Sequence, residues 1–264
     1  MKSMCAVIPA AGKGTRLHPL TYAVPKELLP LGACPTIQHV VHELAATGIG
    51  EIIVVTSDGK EALQQHFDVL LEHNHLNVSL RYVIQDRQRG LGDAVRTARE
   101  AVAERAFAVA LGDAVIVGSS PGELLSRMSG LFERYSADAV VAVQQVKPAD
   151  TSRYGIVAPA QTTDEGVRLA GLVEKPGPEH APSNLAICGR YLFKPDVFDY
   201  LERLQPGAGG ELQLTDALEA LVQDGGVVWA CPLEAPERRL DVGTVDSYYQ
   251  AVRDMLEIEK QGRP

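Results

Sequence analysis

Through its first 144 residues this chain alternates short, apolar, β-branched runs with longer segments whose apolar residues recur at helical spacing. The runs 6–9, 52–56, 80–84, 107–111 and 139–144 read as strands, and the segments 37–48, 60–71, 91–102 and 121–135 as helices. In the first helix Ile37, Val40, Val41 and Leu44 share one face, and Gly48 closes it. Strands separated by whole helices cannot pair as hairpins. They build a mostly parallel sheet with helices on both faces, and such sheets bind ligands beyond the carboxyl ends of their strands. After Pro148 the pattern shifts to short strands at 154–158, 168–174 and 185–193, separated by loops rich in Pro, Gly, Asp and Thr. This portion is expected to be smaller, mixed or antiparallel, and laid over the sheet edge. Helices 195–204 and 214–222, strand 227–231 and a last helix over 244–259 follow, giving an α/β, Rossmann-like architecture.

Composition narrows the partners. The formal charge of −9 argues against nucleic acid or an anionic membrane surface. No apolar run approaches the roughly 20 residues that span a bilayer. Met1-Lys2-Ser3-Met4 leads straight into a strand without an h-region, so a cytoplasmic protein is expected. Cys5, Cys34, Cys188 and Cys231 form no C-x-x-C pair and read as reduced and packed in the fold. His73 and His75 have no further His or Cys nearby and read as a surface turn rather than a metal site.

In so acidic a chain, phosphate binding must be local, and one loop offers it. After the first strand come Ala10-Ala11-Gly12-Lys13-Gly14-Thr15-Arg16, then Lys26, with Glu27 the one acid between residues 6 and 30. Glycines let backbone approach an anion, and Lys and Arg bring charge and forked donors. The loop is not G-x-x-x-x-G-K-[ST]. It fits only the first two glycines of G-x-G-x-x-G, and the next helical pattern starts near Pro35, too late for a dinucleotide-binding turn. Two acids, Asp113 after strand 107–111 and Asp241 in Leu240-Asp241-Val242-Gly243, sit before or after glycine at strand ends. Alone, each reads as a turn or helix-cap residue as readily as a ligand; together they could converge on a hard cation. Gln85 opens a polar loop leading to Gly90-Leu91-Gly92-Asp93-Ala94. Its amide could serve a pyrimidine edge, or it could be a solvated loop residue. Arg87 and Arg89 read as surface charges.

The string G-x-G-T-R…P-K-E-L-L-P between Gly12 and Pro30 resembles the sugar-1-phosphate nucleotidyltransferase family. Further segments resemble it in the same order over about residues 6–251: Gln85…Gly-Leu-x-x-Ala, Tyr154-Gly155, Glu174-Lys175-Pro176, Ser183-Asn184 through Tyr191, and Gly209 through Asp216. The resemblance implies a GT-A-like fold with Mg²⁺ as cofactor on Asp113 and Asp241. It implies that Ala10, Ala11, Gly12, Lys13, Gly14, Thr15 and Arg16 hold the nucleotide phosphates, that Lys26 sits near the α-phosphate, and that Gln85 and Gly90 meet the base. Tyr154, Gly155, Glu174, Asn184 and Glu211 would hold the sugar, with Lys175 on its phosphate; Arg16, Lys26, Asp113 and Lys175 would be catalytic. Thr215 and Asp216 are expected to cap the helix after them. The expected organisation is a single domain, 1–264, with a nucleotide-binding half (1–147), a sugar-binding half (148–243) and a C-terminal helix (244–264).

The segments 21–27, 55–60 and 181–184 resemble the uridylyl-transferring branch, whereas the short stretch between Phe67 and Gln85 and the Gly112-Asp113 and Asp241-Val242-Gly243 turns lean towards the thymidylyl branch. The implied reaction joins UTP and glucose 1-phosphate into UDP-glucose and pyrophosphate. The alternatives are a dTTP-using or promiscuous enzyme and, behind them, a regulatory paralogue without activity. No nucleophile elbow or triad is present, and a sugar phosphate needs neither, being largely dianionic above its second pKa of about 6. A homo-oligomer is expected, and Val252 and Leu256 of the last helix could serve assembly as easily as the core.

Overall fold

The computed structural model of the protein describes residues 1, 3–74 and 76–262, so His75 of the H-x-H pair lies outside the described residues. Along the chain run β1 (Cys5–Pro9), β2 (Pro30–Leu31), β3 (Cys34–Pro35), α1 (Thr36–Ala46), β4 (Glu51–Thr56), α2 (Glu61–Asn74), β5 (Ser79–Ile84), α3 (Leu91–Thr97), α4 (Arg99–Val102), β6 (Phe107–Ala110) and β7 (Ala114–Val117). They are followed by α5 (Glu123–Arg134), β8 (Ala139–Gln145), β9 (Gly155–Thr162), β10 (Val167–Glu174), β11 (Leu185–Phe193), α6 (Val197–Arg203), α7 (Leu214–Gln223), β12 (Val228–Pro232), β13 (Arg238–Asp241) and α8 (Val245–Lys260).

Nine strands form one sheet in the order β5-β4-β1-β6-β11-β8-β12-β10-β9. Strands β5, β4, β1 and β6 pair in parallel, as the alternating pattern requires. Strand β11 enters antiparallel between β6 and β8, and β12 lies parallel to β8. The second-half strands therefore extend the same sheet instead of covering its edge as a separate layer. Its last strand curls back far enough for Ile156 of β9 to pair with Ala186 of β11.

Alternation along each strand feeds two cores. In β1, Ala6 and Ile8 pack with α1, α2 and α5 on one face, while Cys5 and Val7 pack with α3, α6 and α7 on the other. In the last helix Val252 packs against the first of these cores, and Tyr249 and Leu256 are exposed. All four cysteines are free thiols. Burial pushes Cys188 up to about 12 and Cys231 and Cys34 up to about 11, which makes them packing residues rather than reactive thiolates. No helix among the described residues is long and apolar enough to cross a membrane.

Two features that the sequence pattern did not reveal set up the site. One is a two-stranded ladder outside the main sheet, in which β7 and β13 run antiparallel with Asp241 opposite Ala114. The other is a bulge in β11, where the register shifts between Ile187 and Tyr191 and Gly189 adopts φ 85. Next to it the fully buried Arg190 donates from Nε and Nη2 to Glu43 of α1, from Nη1 to the Gly189 carbonyl and from Nη2 to the Ala114 carbonyl, all within 2.7–3.1 Å. Truncating one member of such a pair strands a buried charge. Glu43→Ala should therefore lower unfolding free energy by about 3–5 kcal/mol in urea titrations, against the fraction of a kcal/mol typical of exposed pairs.

Candidate active site

The loop after β1 is held from behind. Ala10 N–H donates to Val55 O at 2.7 Å, extending the parallel pairing one residue past the strand. Lys60 Nζ donates to Ala10 O at 2.5 Å and to Glu27 Oε2 at 2.9 Å, and Glu27 is fully buried. Ser57 Oγ donates to Ala11 O, and Thr21 Oγ1 to Gly14 O, where the backbone is left-handed at φ 67. Lys60, Ser57 and Thr21 shape the loop from outside the glycine motif, within the segments 55–60 and 21–27.

Lys26 crosses from this loop to the turn after β6, where its Nζ donates to Asp113 Oδ2. Burial alone would lower Lys26 and raise Asp113, but their mutual attraction outweighs it, with Glu27 assisting on the Lys26 side. The ammonium is held above its ordinary value and the carboxyl below. The Asp113 turn is pinned on three sides: Leu111 N–H donates to Gly189 O, Ala114 O accepts from Arg190, and Asp113 O accepts from Val242 N–H. The last contact, with the β7–β13 ladder, brings Asp241 beside Asp113.

Two cavities adjoin at this point. One, of about 480 Å³, is lined by Ala11, Gly12, Lys13, Thr15, Lys26, Gln85 and Gly90. The other, of about 510 Å³, is lined by Tyr154, Gly155, Glu174, Lys175, Thr215, Arg239 and Asp241. Arg16, Leu91, Leu111, Asp113 and Glu211 line both. Ala10, Gly14 and Asn184 line neither; the Asn184 carbonyl accepts from Val146 N–H at the end of β8. A cavity of about 530 Å³ between the 117–121 segment and α8 contains none of the residues singled out in the sequence.

On the second cavity's wall, Thr215 Oγ1 donates to Glu174 Oε2 at 2.7 Å. This corrects the expectation that Thr215 and Asp216 cap α7: Gln213 is the N-cap residue, no side chain caps that end, and Thr215 is already inside the helix. A Cβ at Gly155 would stand 2.8 Å from Thr215 Oγ1 and 3.3 Å from Glu174 Oε2, so glycine there makes room for this pair. Lys175 follows at φ 48, a conformation costly for a residue with a side chain, and its Nζ lies 2.9 Å from Glu174 Oε1. The Tyr154 ring carries the guanidinium of Arg239 at 4.3 Å and that of Arg153 at 5.2 Å, and Arg153 reaches Asp241 at 3.6 Å. Neither arginine stood out in the sequence, though Arg239 lies two residues before Asp241 on one strand and so projects from the same side.

On the first cavity's wall, the buried Gln85 donates from Nε2 to Asp93 Oδ2 at 2.7 Å, while Asp93 Oδ1 accepts from Arg89 and Arg96 at 2.9 and 2.7 Å. Arg89, read as a surface charge, is half exposed but bonded inward. Close approach at Gly90 is made by the chain itself: at φ 116, a Cβ there would stand 2.6 Å from Leu212 O. Leu212 N–H donates to Arg89 O and Gly92 N–H to Leu212 O, which docks 211–213 and places Glu211 between the cavities. Gly90→Ala should lower stability by about 1–3 kcal/mol and accelerate hydrogen exchange at the Leu212 amide.

A family model described as "Nucleotidyl transferase" matches residues 5–258. The chain is 40% identical over 263 residues to a UTP–glucose-1-phosphate uridylyltransferase of Pseudomonas aeruginosa, covering 93% of each chain. It is 43% identical over 261 residues to UTP–glucose-1-phosphate uridylyltransferase 1 of Staphylococcus saprophyticus, covering 92% of this chain and 89% of the relative. Its fold is similar to a UDP-glucose pyrophosphorylase solved in complex with UDP-glucose, with TM-score 0.89 and 31% identity over 96% of this chain and 98% of that one.

Proposed function

The chain belongs to the nucleotidyl transferase family, and from that premise we propose that it transfers the uridylyl group of UTP to glucose 1-phosphate. The observation that carries this reading is the pair of adjoining cavities that share Arg16 and Asp113. A reaction between two anions needs two compartments and cations near their junction: Arg16 lines both cavities, Lys26 the first and Lys175 the second. The first cavity, lined mainly from 1–147, suits the nucleotide, and the second, lined mainly from 148–243, suits the sugar phosphate. The names of the relatives favour uridine and glucose.

In the proposed reaction an oxygen of the sugar phosphate forms a bond to the α-phosphorus of UTP. The bond from that phosphorus to the bridging oxygen breaks, and pyrophosphate leaves with the electron pair. The nucleophile is already anionic, so no side chain has to remove a proton. The protein's task is to align two anions and neutralise their charge. Lys13, Arg16 and the backbone of Gly12–Thr15 would hold the β- and γ-phosphates, with Arg16 retaining the leaving pyrophosphate. Lys26, fixed on Asp113, would meet the α-phosphate, and Lys175 the sugar phosphate. Glu174, held by Thr215, and Glu211 would accept from sugar hydroxyls, with Tyr154 and Gly155 lining the sugar's cavity. Ala10 and Gly14 shape the loop, and Asn184 has no part in this assignment.

The donor set fits a hard divalent cation. Asp113, in the turn just before β7, and Asp241, at the end of the paired β13, offer carboxylate oxygens to one cavity, and Mg²⁺ is typically held by one or two carboxylates with substrate phosphates completing its shell. When bound, Mg²⁺ would neutralise charge on the phosphate oxygens.

The test is pyrophosphate release in Mg²⁺ from a panel of nucleoside triphosphates crossed with glucose-, galactose-, mannose- and N-acetylglucosamine-1-phosphate. Release with UTP and glucose 1-phosphate is expected. Preference for dTTP would move the chain to the thymidylyl branch, and no release from folded protein would overturn the reading. Asp113→Asn or Arg16→Ala should lower turnover by about 10²–10³-fold, the worth of one well-placed charge stabiliser. Thr215→Val, which frees Glu174, should raise KM for glucose 1-phosphate about tenfold and leave KM for UTP unchanged, as follows from losing one hydrogen bond to a charged group.

A further inference from the structure

Gln85 is fixed at both ends. Its backbone N–H donates to Thr56 O at 2.8 Å, just past β5, and its side-chain Nε2 donates to Asp93 Oδ2 at 2.7 Å. Asp93 is itself immobilised. It is 2% exposed, lies in the first turn of α3, and takes a guanidinium from each side on its other oxygen. Arg96 is anchored further by Glu202 at 3.3 Å. Burial alone would raise the Asp93 carboxyl. The hydrogen bonds from Gln85, Arg89 and Arg96 outweigh it and hold the group below its ordinary value, so Asp93 is a carboxylate with no proton to give.

A carboxylate can only accept. The Gln85 amide must therefore turn its nitrogen to Asp93 and its carbonyl oxygen away from it. A free glutamine amide rotates about its last torsion at little cost and can present a donor or an acceptor in the same place. Here that freedom is removed. Asp93 takes one N–H of the amide, which leaves an edge made of the carbonyl oxygen and the other N–H. That edge, an acceptor beside a donor, belongs to a residue lining the cavity next to Gly90, Leu91 and Ala94.

Pyrimidines differ at the matching edge. Uracil carries a hydrogen on N3 between two carbonyls. Cytosine offers a bare N3 acceptor beside an amino donor. A rotatable amide serves both, whereas an amide locked with its oxygen outward complements the N3–H and a neighbouring carbonyl and sets acceptor against acceptor for cytosine. We propose that Asp93 is a positioning residue that locks the Gln85 amide and thereby makes this site select uracil over cytosine. The inference rests on the reading that Gln85 meets the base. Arg89 and Arg96 belong to the device, because they keep Asp93 ionised and in place.

The experiment compares kcat/KM for UTP and CTP, each with glucose 1-phosphate, in the full-length protein and its variants. In Asp93→Asn the new side chain can turn either its oxygen or its nitrogen to Gln85, which opens the lock. The UTP-to-CTP ratio should fall about 10- to 100-fold, the discrimination one bidentate base contact provides, with kcat for UTP within about threefold of the parent. Asp93→Glu keeps a carboxylate and should retain most of the ratio. Should Asp93→Asn fail to fold, Asp93→Ser reads the same ratio, since a hydroxyl accepts or donates. Equal losses for UTP and CTP in the folded variant, with the ratio unchanged, would reduce Asp93 to a structural role and overturn the inference. Gln85→Ala separates the two levels. A collapsed ratio there with an unchanged one in Asp93→Asn refutes only the locking role, and an unchanged ratio in Gln85→Ala refutes base reading by Gln85 itself.

Discussion

The guanidinium of Arg190 has no contact with solvent, and the site is assembled around the bonds it makes. Its charge is balanced by Glu43, and its remaining donors reach the carbonyls of Gly189 and Ala114. A buried guanidinium lacking any of these partners would cost several kcal/mol, so helix α1, the β11 bulge and the start of β7 have to arrive together. The Gly189 carbonyl that Arg190 grips also accepts from Leu111 N–H. Asp113 thus sits in a turn fastened at both ends to one cation, and the ladder that begins at Ala114 brings Asp241 alongside. The parallel sheet supplies the location, and this clamp supplies the rigidity that a phosphate-transfer site needs.

A second constraint is electrostatic. The chain is acidic overall, yet its site must receive two phosphate-bearing anions. The fold answers this by pairing five of the acids at or behind the cavities with cations, while Glu211, which lines both, accepts from Gln213 Nε2. Asp113 has Lys26, Asp241 has Arg153, Glu174 has Lys175, Glu27 has Lys60, and Asp93 has Arg89 and Arg96. Lys13 and Arg16 are then in excess at the nucleotide side, and Arg239 at the sugar side. With a screening length of about 8 Å at physiological salt, a ligand in these cavities senses this local balance far more than the distant surface charge.

The parts of this account that were legible in the sequence are those whose signal is local. Alternating β and α segments fixed the parallel half of the sheet, and strand ends pointed to the glycine loop and Asp113. What was hidden depends on contacts between distant segments. Strand β13 is four residues, Arg-Arg-Leu-Asp, with too little apolar patterning to declare itself, and β7 follows β6 so closely that the two read as one run and its turn. Arg190 meets Glu43 across a separation of 147 residues. Ser and Thr favour helix caps, which pointed to Thr215 in that role, but Gln213 holds the cap position and Thr215, inside the first turn of α7, gives its hydroxyl to Glu174. Gly90, expected to meet the base, lines the first cavity, and its Cβ direction is filled by Leu212. Asn184 carries a motif position, and it lies just before β11 and lines neither cavity.

In the proposed reaction, nucleotide and sugar phosphate occupy separate, adjoining cavities and meet at Asp113. The most direct measurement is a crystal structure of the protein with Mn²⁺, glucose 1-phosphate and a UTP analogue carrying an α,β-imido bridge, with Mn²⁺ located by anomalous scattering. The uracil is expected beside Gln85, the glucose beside Glu174, and the anomalous peak between Asp113 and Asp241. Both ligands in one cavity, or a metal bound away from these two carboxylates, would contradict this arrangement.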